Sequence, residues 1–378
     1  MLYREFGRTG EKVSILGFGC MRFQVMDNDP KKIIEEKAIE QVRHAIDRGV
    51  NYIDTAYPYH GGMSEPVVAK ALKDGYREKV FLATKLPSWL VKTREDMDKL
   101  LNEQLEKLQT DHIDFYLIHA LNKGFWENLK KCDVFDFMDK VRKDGRVRHI
   151  GFSFHDELPL FKEIVDAYDW EFCQIQYNFM DENYQAGLEG LTYASDKGLG
   201  VVIMEPLRGG SLVRKIPEDI QAIWDKAEIR RSPAEWALKF IWDHREVSLI
   251  LSGMNEMAQV DENIDSAEDS TPGMLTDKER VLISEARDVY LSRIKVNCTA
   301  CKYCMPCPFG VDIPMNFSLY NDASIYLDYE GQKTTYQNFF SKEQWASKCQ
   351  ECGACETHCP QHIKIRDRLK EVAAFFEG

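Results

Sequence analysis

The sequence predicts a (β/α)8 barrel followed by a small, mainly helical, cysteine-rich domain, and three observations predict it. Eight short apolar runs alternate with amphipathic helical patterns over roughly 250 residues, the length of one such barrel. The runs at 80–84, 115–118 and 201–204 are near-continuous rather than alternating, as parallel strands buried on both faces require. From about residue 295 the composition changes abruptly to Cys, Pro and aromatics, which divides the chain into 1–295 and 296–378. A doubly wound open sheet is the main rival for the same alternation.

Taken in order, residues 1–12 carry glycine turn signals and read as a short hairpin leading in. Strands are expected at 13–19, 50–54, 80–85, 112–119, 147–153, 172–177, 200–205 and 247–252. Helices are expected near 33–48, 64–73, 94–108, 126–143, 157–168, 184–197, 232–243 and 256–266, with Ser64 capping the second of them. Residues 276–294 read as a further helix packed against the barrel.

Hydrophobic residues at 44% and charged residues at 29% make an ordinary soluble composition. No apolar run approaches the ~18 residues of a membrane span, and no charged-then-apolar leader opens the chain, so a cytoplasmic protein is expected. The formal charge of −13 argues against nucleic acid or anionic membrane as a partner. The 11 cysteines are the anomaly. Cys20, Cys132 and Cys173 are scattered, whereas the others all lie between Cys298 and Cys359. In a reducing compartment that crowding points to a metal or cluster site before disulfides.

In a βα barrel the functional groups sit where strands end. Asp54 closes the second strand, Tyr59 follows in the next loop, Lys85 closes the third strand and His119 the fourth. Singly, each reads as a solvated rim residue or a carboxylate that satisfies loop amides; together they point to a site. With their contexts Asp54-Thr55-Ala56, Ala83-Thr84-Lys85 and Tyr116-Leu117-Ile118-His119, they resemble the Asp/Tyr/Lys/His tetrad of the aldo-keto reductases. These are nicotinamide-dependent carbonyl reductases on a (β/α)8 TIM barrel. The resemblance implies that Tyr59 protonates the substrate oxygen. A free phenol titrates near ~10, and Lys85, kept charged by Asp54, is expected to lower that value while His119 orients the carbonyl.

The same resemblance implies nicotinamide contacts at Met21, Ser153, Gln174, Met204, Leu207, Gly253, Gln259, Glu262 and Asn263. Ser153 and Gln174 stand at the carboxamide contacts, and Met204 where many relatives stack an aromatic ring. Residues 251–263 match the segment that holds the adenosine half. Phe154 stands where many relatives have Asn. Gly253 and Gln259 stand where NADPH-selective relatives often place cations, which leaves NADPH and NADH both open, with Arg22 or Arg208 as compensating cations. Loop packing and helix capping are the bland alternative for Ser153, Met204 and Asn263. Phe23, Trp89, Phe125 and Trp126 are candidates for an aromatic-lined mouth, or for packing against the tail.

Cys349-x-x-Cys352-x-x-Cys355-x-x-x-Cys359-Pro360 is the ligand run of bacterial-type [4Fe–4S] clusters, in which the Cys before Pro serves the other cluster. Cys298-x-x-Cys301-x-x-Cys304-x-x-Cys307-Pro308 is a near copy, one residue shorter before its last Cys. The crossover assigns Cys298, Cys301, Cys304 and Cys359 to one cluster and Cys349, Cys352, Cys355 and Cys307 to the other. The 41 residues between the runs exceed a small ferredoxin's linker, and 316–323 and 342–348 read as helical, so a helical two-cluster domain is expected. This tail resembles that of a bacterial and archaeal subgroup of aldo-keto reductase-like oxidoreductases.

Three functions fit these residues. The chain reduces a carbonyl or quinone-like substrate and its clusters exchange electrons with a ferredoxin or similar carrier; or it is a reductase with clusters as staples or sensors; or it is an electron-carrier or redox-sensing subunit with little turnover. No flavin signature is present, and the intact tetrad argues against the last.

Overall fold

The computed structural model describes residues 1–27, 29–298, 303–359 and 361–378. The opening hairpin pairs β1 (Tyr3–Glu5) antiparallel with β2 (Lys12–Ser14). The barrel strands are β3 (Leu16–Gly19), β4 (Tyr52–Asp54), β5 (Phe81–Leu86), β6 (Ile113–Leu121), β7 (Val147–Phe154), β8 (Phe172–Gln176), β9 (Gly200–Met204) and β10 (Leu249–Ser252). All pair in parallel, sequence neighbours lie side by side, and β10 closes on β3, so the open-sheet alternative is excluded.

Helices follow the strands: α1 (Glu35–Asp47), α2 (Ser64–Ala71), α3 (Arg94–Leu108), α4 (Lys123–Lys131), α5 (Val134–Lys143), α6 (Leu158–Ala167) and α7 (Gly187–Asp196). After these come α8 (Glu218–Trp224), α9 (Pro233–Trp242), α10 (Met257–Ala267) and α11 (Asp277–Ser292). Thr93 and Asp96 close a capping box on α3, and Asn122 and Ser232 cap α4 and α9. The single helix expected at 126–143 is two, because Asp133 between them holds a left-handed φ of 53°. No helix among the described residues is long and apolar enough to cross a membrane.

Side chains alternate along each strand, and two cores result. Outward residues such as Ile53, Leu82, Ile118, Ile150, Cys173, Ile203 and Ile250 pack under the helices. Inward residues Tyr52, Ala83, Phe115, Leu117, Phe172, Val202 and Leu249 fill the barrel with Phe6 from the hairpin, whose ring lies 4.7 Å from that of Phe115. Burying each of the Phe, Leu and Val side chains among them contributes about 1.5–3 kcal/mol. At the inward position of β7 there is room only for Gly151, since a Cβ would stand 2.5 Å from the Phe172 carbonyl oxygen. The same period decides the next layer up. Two residues beyond the inward core positions lie Asp54, Lys85, His119, Ser153, Gln174 and Met204, at the carboxyl ends of their strands.

The chain divides into two compact units, Met1–Gly210 with Arg231–Asp277, and Ser211–Arg230 with Lys278–Gly378. The second unit thus takes in α8 and nearly all of α11, earlier than the boundary expected near 295. Ion pairs link 211–230 to this part of the chain: Glu285 on α11 pairs with Lys226 at 2.7 Å, and just beyond the helix Arg293 donates to both carboxylate oxygens of Asp219 at 2.6 Å.

The second unit also holds α12 (Ile313–Ile325), α13 (Tyr329–Phe339), α14 (Ala354–Thr357) and α15 (Ile365–Phe376). Its core gathers Val311, Phe317, Leu319, Ile365, Leu369, Val372 and Phe376 around Tyr336. The Tyr336 hydroxyl donates to Glu377 at 2.8 Å and accepts from the Ala346 amide at 2.8 Å. Residues 342–348, expected as helix, form two short 3-10 turns instead.

Candidate active site and cluster ligands

The barrel brings Asp54, Tyr59, Lys85 and His119 together. The Lys85 ammonium is fully buried and donates to both Asp54 oxygens at 2.7 Å, to the Thr55 carbonyl at 2.8 Å and to the Tyr59 hydroxyl at 3.5 Å. Tyr59 reaches it from a turn in which His60 and Gly61 adopt left-handed backbone, with φ of 53° and 60°. Behind that turn Ser64 does not cap α2; its buried hydroxyl donates to the Cys20 carbonyl at 3.0 Å and meets the Thr55 hydroxyl at 2.8 Å. The His119 ring stands edge-on to Tyr59, with centroids 6.2 Å apart, and its Nδ1 is buried without a hydrogen-bond partner.

Burial works against a charged Lys85, but Asp54 and Tyr59 outweigh it and hold its pKa above the ordinary lysine value. For Tyr59, burial is the largest influence and Lys85 only partly opposes it, so the phenol lies above its ordinary value. That reverses the lowering expected from the residue types alone. Burial of the phenol is the main cause, and the negative charge of Asp54 beside it adds in the same direction. Burial, then Lys85 and His155, push the His119 imidazole well below the usual histidine range, so it is neutral at neutral pH. The site therefore offers a protonated phenol, a charged ammonium and a neutral imidazole around one opening, a set that can protonate an oxygen gaining negative charge.

A second network, absent from the expected set, backs Lys85 from outside the barrel. Gln104 donates to the Lys85 carbonyl at 3.0 Å, to Thr84 at 3.1 Å and to the fully buried Glu65 at 2.8 Å, and accepts from Tyr116 at 2.8 Å. Gln104 and Glu65 lie on α3 and α2, so only tertiary pairing reveals them.

The expected nicotinamide contacts are less uniform. Ser153 is buried and accepts from the Ala120 amide at 2.7 Å, beside an irregularity in the pairing of β6 with β7. Gln174 is buried, its amide nitrogen 3.3 Å from the Met204 sulfur and its Oε1 without a partner. Leu207 packs against the outer core, and Met21 is half exposed. Asn263 donates to Ser252 at 3.0 Å. Gln259 caps α10, accepting from the amides of Asn255 and Glu256, and Glu262 is exposed on that helix. A Cβ at Gly253 would stand 2.7 Å from the Arg22 Cγ and one at Gly209 3.4 Å from its Nη2, so the Arg22 stem lies against the loop after β10 with its charged end toward the loop after β9, whereas Arg208 turns to Asp181 at 3.6 Å.

Of the aromatic candidates, Trp89 stands 5.3 Å from His119 and 6.4 Å from Phe125, and 40% of its surface is exposed. Trp126 is instead fully buried, its indole donating to Glu163 at 3.0 Å, and Phe23 is buried against His60. Trp126 and Phe23 thus belong to packing rather than to the mouth.

In the second unit Cys298, Cys304, Cys307, Cys349, Cys355 and Cys359 lie partly buried against one apolar core, and Cys352 is exposed. Cys301 lies outside the described residues. The Cys355 thiol is pushed up by burial and by the neighbouring Glu356, Cys349 and Cys307, so Cys307 of the first run stands near Cys355 of the second. Among the described residues no three His, Cys, Asp or Glu side chains converge as on a single ion. A cubane does not ask for that, since each thiolate takes a different iron corner, and the thiolate-rich donor set suits it.

The Aldo/keto reductase family model matches residues 15–272, and that of a 4Fe-4S dicluster domain matches residues 297–363. Among curated relatives, L-galactose dehydrogenase of Arabidopsis thaliana is 28% identical over 287 residues, covering 69% of this chain and 86% of its own. An uncharacterized oxidoreductase of Bacillus subtilis is 32% identical over 235 residues, covering 56% of this chain and 68% of its own. Among solved structures, an aldo-keto reductase of Bacillus halodurans in its holo form superposes with a TM-score of 0.65 at 27% identity, over 76% of this chain and 96% of that one.

Proposed function

We propose that this chain, which belongs to the aldo/keto reductase family, reduces a carbonyl or quinone-like substrate at the barrel mouth with a nicotinamide, its iron–sulfur domain exchanging electrons with a ferredoxin or similar carrier. The observation that carries the reading is the Lys85 ammonium held between Asp54 and the Tyr59 hydroxyl, with His119 facing them. When bound, a nicotinamide supplies a hydride and the clusters carry single electrons.

The chain's own residues manage the proton. Tyr59 is protonated and partly exposed, so its hydroxyl gives a proton to the carbonyl oxygen as negative charge gathers there. The phenolate left behind faces the Lys85 ammonium, which Asp54 keeps charged inside the barrel. His119 donates a hydrogen bond that orients the carbonyl, and Trp89 and Phe125 line the side from which substrate enters.

Gln174 supports the nicotinamide assignment, because its buried Oε1 lacks the donor that a carboxamide NH2 brings. Ser153, Met204, Leu207 and Met21 complete that end, and Gly253, Gln259, Glu262 and Asn263 hold the adenosine half. Arg22, whose stem lies against Gly253 and whose Nη2 lies beside Gly209, is the cation for a 2′-phosphate of NADPH, and NADH needs none. The nearness of Cys307, from the first run, to Cys355 of the second supports the crossed cluster assignment, with Cys298, Cys301, Cys304 and Cys359 on the other cluster.

The test is an anaerobic assay on protein whose iron and sulfide have been counted. About eight irons per chain are expected for two cubanes, with nicotinamide consumption matched by alcohol formed from small aldehydes or ketones, or by reduction of a quinone. A nicotinamide that binds without being consumed by any of these substrates would refute the reductase reading and leave an electron carrier.

A further inference from the structure

We propose that Arg366 sets the reduction potential of the cluster assigned to Cys307, Cys349, Cys352 and Cys355, its guanidinium lying on the loop between two of those cysteines and favouring the reduced state. The inference rests on the cluster assignment above. Between Cys352 and Cys355 the backbone turns at Gly353, whose φ of 77° is the left-handed region that glycine adopts freely. Glycine serves a second end there. A Cβ at position 353 would stand 3.7 Å from the Arg366 guanidinium carbon, 3.8 Å from Nη1 and 3.9 Å from Nε, so the cation lies against the bare Cα.

Glu356, directly after Cys355, fixes that position. One carboxylate oxygen accepts from the Arg366 backbone amide at 2.9 Å and the other from Nη2 at 2.8 Å. The two bonds lock the start of α15 onto the cysteine loop. Yet Arg366 Nε is buried and, among the described residues, has no hydrogen-bond partner. Folded chains rarely leave a buried N–H unspent, and a cluster sulfur beside Gly353 is an acceptor of the kind it lacks. One turn on, Lys370 pairs with Glu351 at 2.7 Å, but both side chains are more than half exposed and water screens them.

Cluster potentials follow local charge and hydrogen bonds to the sulfurs. Reduction brings one electron from an external one-electron donor and takes no proton from the chain, so the cluster becomes more negative by one unit. A fixed cation with an unspent N–H favours that state, and Glu356 opposes it. The pair therefore acts with opposite signs on one couple, which a mere staple does not.

The experiment is a mediated dithionite titration of the full, anaerobically purified chain, followed by electron paramagnetic resonance. Arg366→Gln should lower one couple until its reduced-to-oxidised ratio at a set potential falls about tenfold, or about 59 mV for one electron. Glu356→Gln should move the same couple the other way, Arg366→Lys should restore most of the shift, and the second couple should stay in place. Parent potentials in Arg366→Gln with full iron and sulfide, or shifts of the same sign in Arg366→Gln and Glu356→Gln, would overturn the proposal. If Arg366→Gln fails to take up iron, Glu356→Gln alone decides by the sign of its shift. A parent chain that holds no iron or sulfide overturns the cluster assignment itself, a result that the titration cannot be confused with.

Discussion

Replacing Asp54 by Asn removes the one carboxylate that holds the Lys85 ammonium inside the barrel. Asp54 is 2% exposed and Lys85 fully buried, and the two bonds between them are 2.7 Å each. Taking away one member of such a pair leaves an uncompensated buried charge, at a cost of about 3–5 kcal/mol. Removing both charges in Asp54→Asn/Lys85→Met should return part of that loss, because the remaining defect is the Thr55 carbonyl stripped of its 2.8 Å donor, worth about 1–3 kcal/mol. Urea unfolding read by tryptophan fluorescence suits the question. Trp89, Trp126, Trp170, Trp236 and Trp242 lie in the barrel unit, and only Trp224 and Trp345 in the other. The expected order of stability is parent, double variant, then Asp54→Asn, with turnover lost in both variants. A double variant no more stable than Asp54→Asn would refute the claim that the exposed cost is an unpaired charge.

Three further predictions concern groups around the site and on the barrel surface. Gln174→Leu deletes a buried acceptor that has no partner, so the fold should lose no stability while nicotinamide affinity falls about tenfold, the worth of one hydrogen bond of ~1.4 kcal/mol; fluorescence titration with NADH and NADPH checks it, and unchanged affinity would remove Gln174 from the site. Gln104→Leu takes the acceptor from the buried Tyr116 hydroxyl and a donor from Glu65, Thr84 and the Lys85 carbonyl, leaving only the Thr84–Glu65 hydrogen bond of 2.8 Å in place. It should cost about 3 kcal/mol or more and lower kcat with nicotinamide affinity intact, and a variant matching the parent in both would dismiss the network. Burial alone would raise Asp98, but Arg146, Arg94 and Lys140 outweigh it and bring its pKa down to about 2. A depressed carboxylate stabilises the fold above its unfolded pKa and loses that contribution as pH falls through the folded value. The stabilisation is about 2 kcal/mol at neutral pH and disappears between about pH 4 and pH 2. Asp98→Asn should flatten the acid limb of stability in that window, and an identical limb in parent and variant would contradict it.

The strand period made the tetrad's carriers legible, because His119 follows inward-facing Leu117 by two residues and Lys85 follows Ala83 in the same way. The period does not report charge balance. Asp54, Lys85 and Tyr59 are plain in the sequence, but how deeply the fold buries the phenol is not, and that burial reversed the direction of the Tyr59 shift. Residues 211–230 join the second unit through ion pairs from Asp219 and Lys226 to partners far along the chain, which no local pattern carries. By contrast, α15 was not among the expected helices although its pattern is local. Its buried Ile365, Leu369, Val372 and Phe376 recur at four, three and four residues, the spacing of one helical face. Trp126 looked like a mouth residue beside Phe125, but consecutive residues on a helix point apart, and its indole turns inward to Glu163.

The central claim is that the Tyr59 hydroxyl delivers the proton, and single-turnover reduction by Tyr59→Phe tests it most directly. Phenylalanine keeps the ring and removes only the oxygen 3.5 Å from Lys85. The account predicts nicotinamide binding within a factor of about two of the parent and a chemical step slower by about 10²–10⁴-fold, the usual worth of a general acid. A Tyr59→Phe chain that reduces its carbonyl at the parental rate would contradict it.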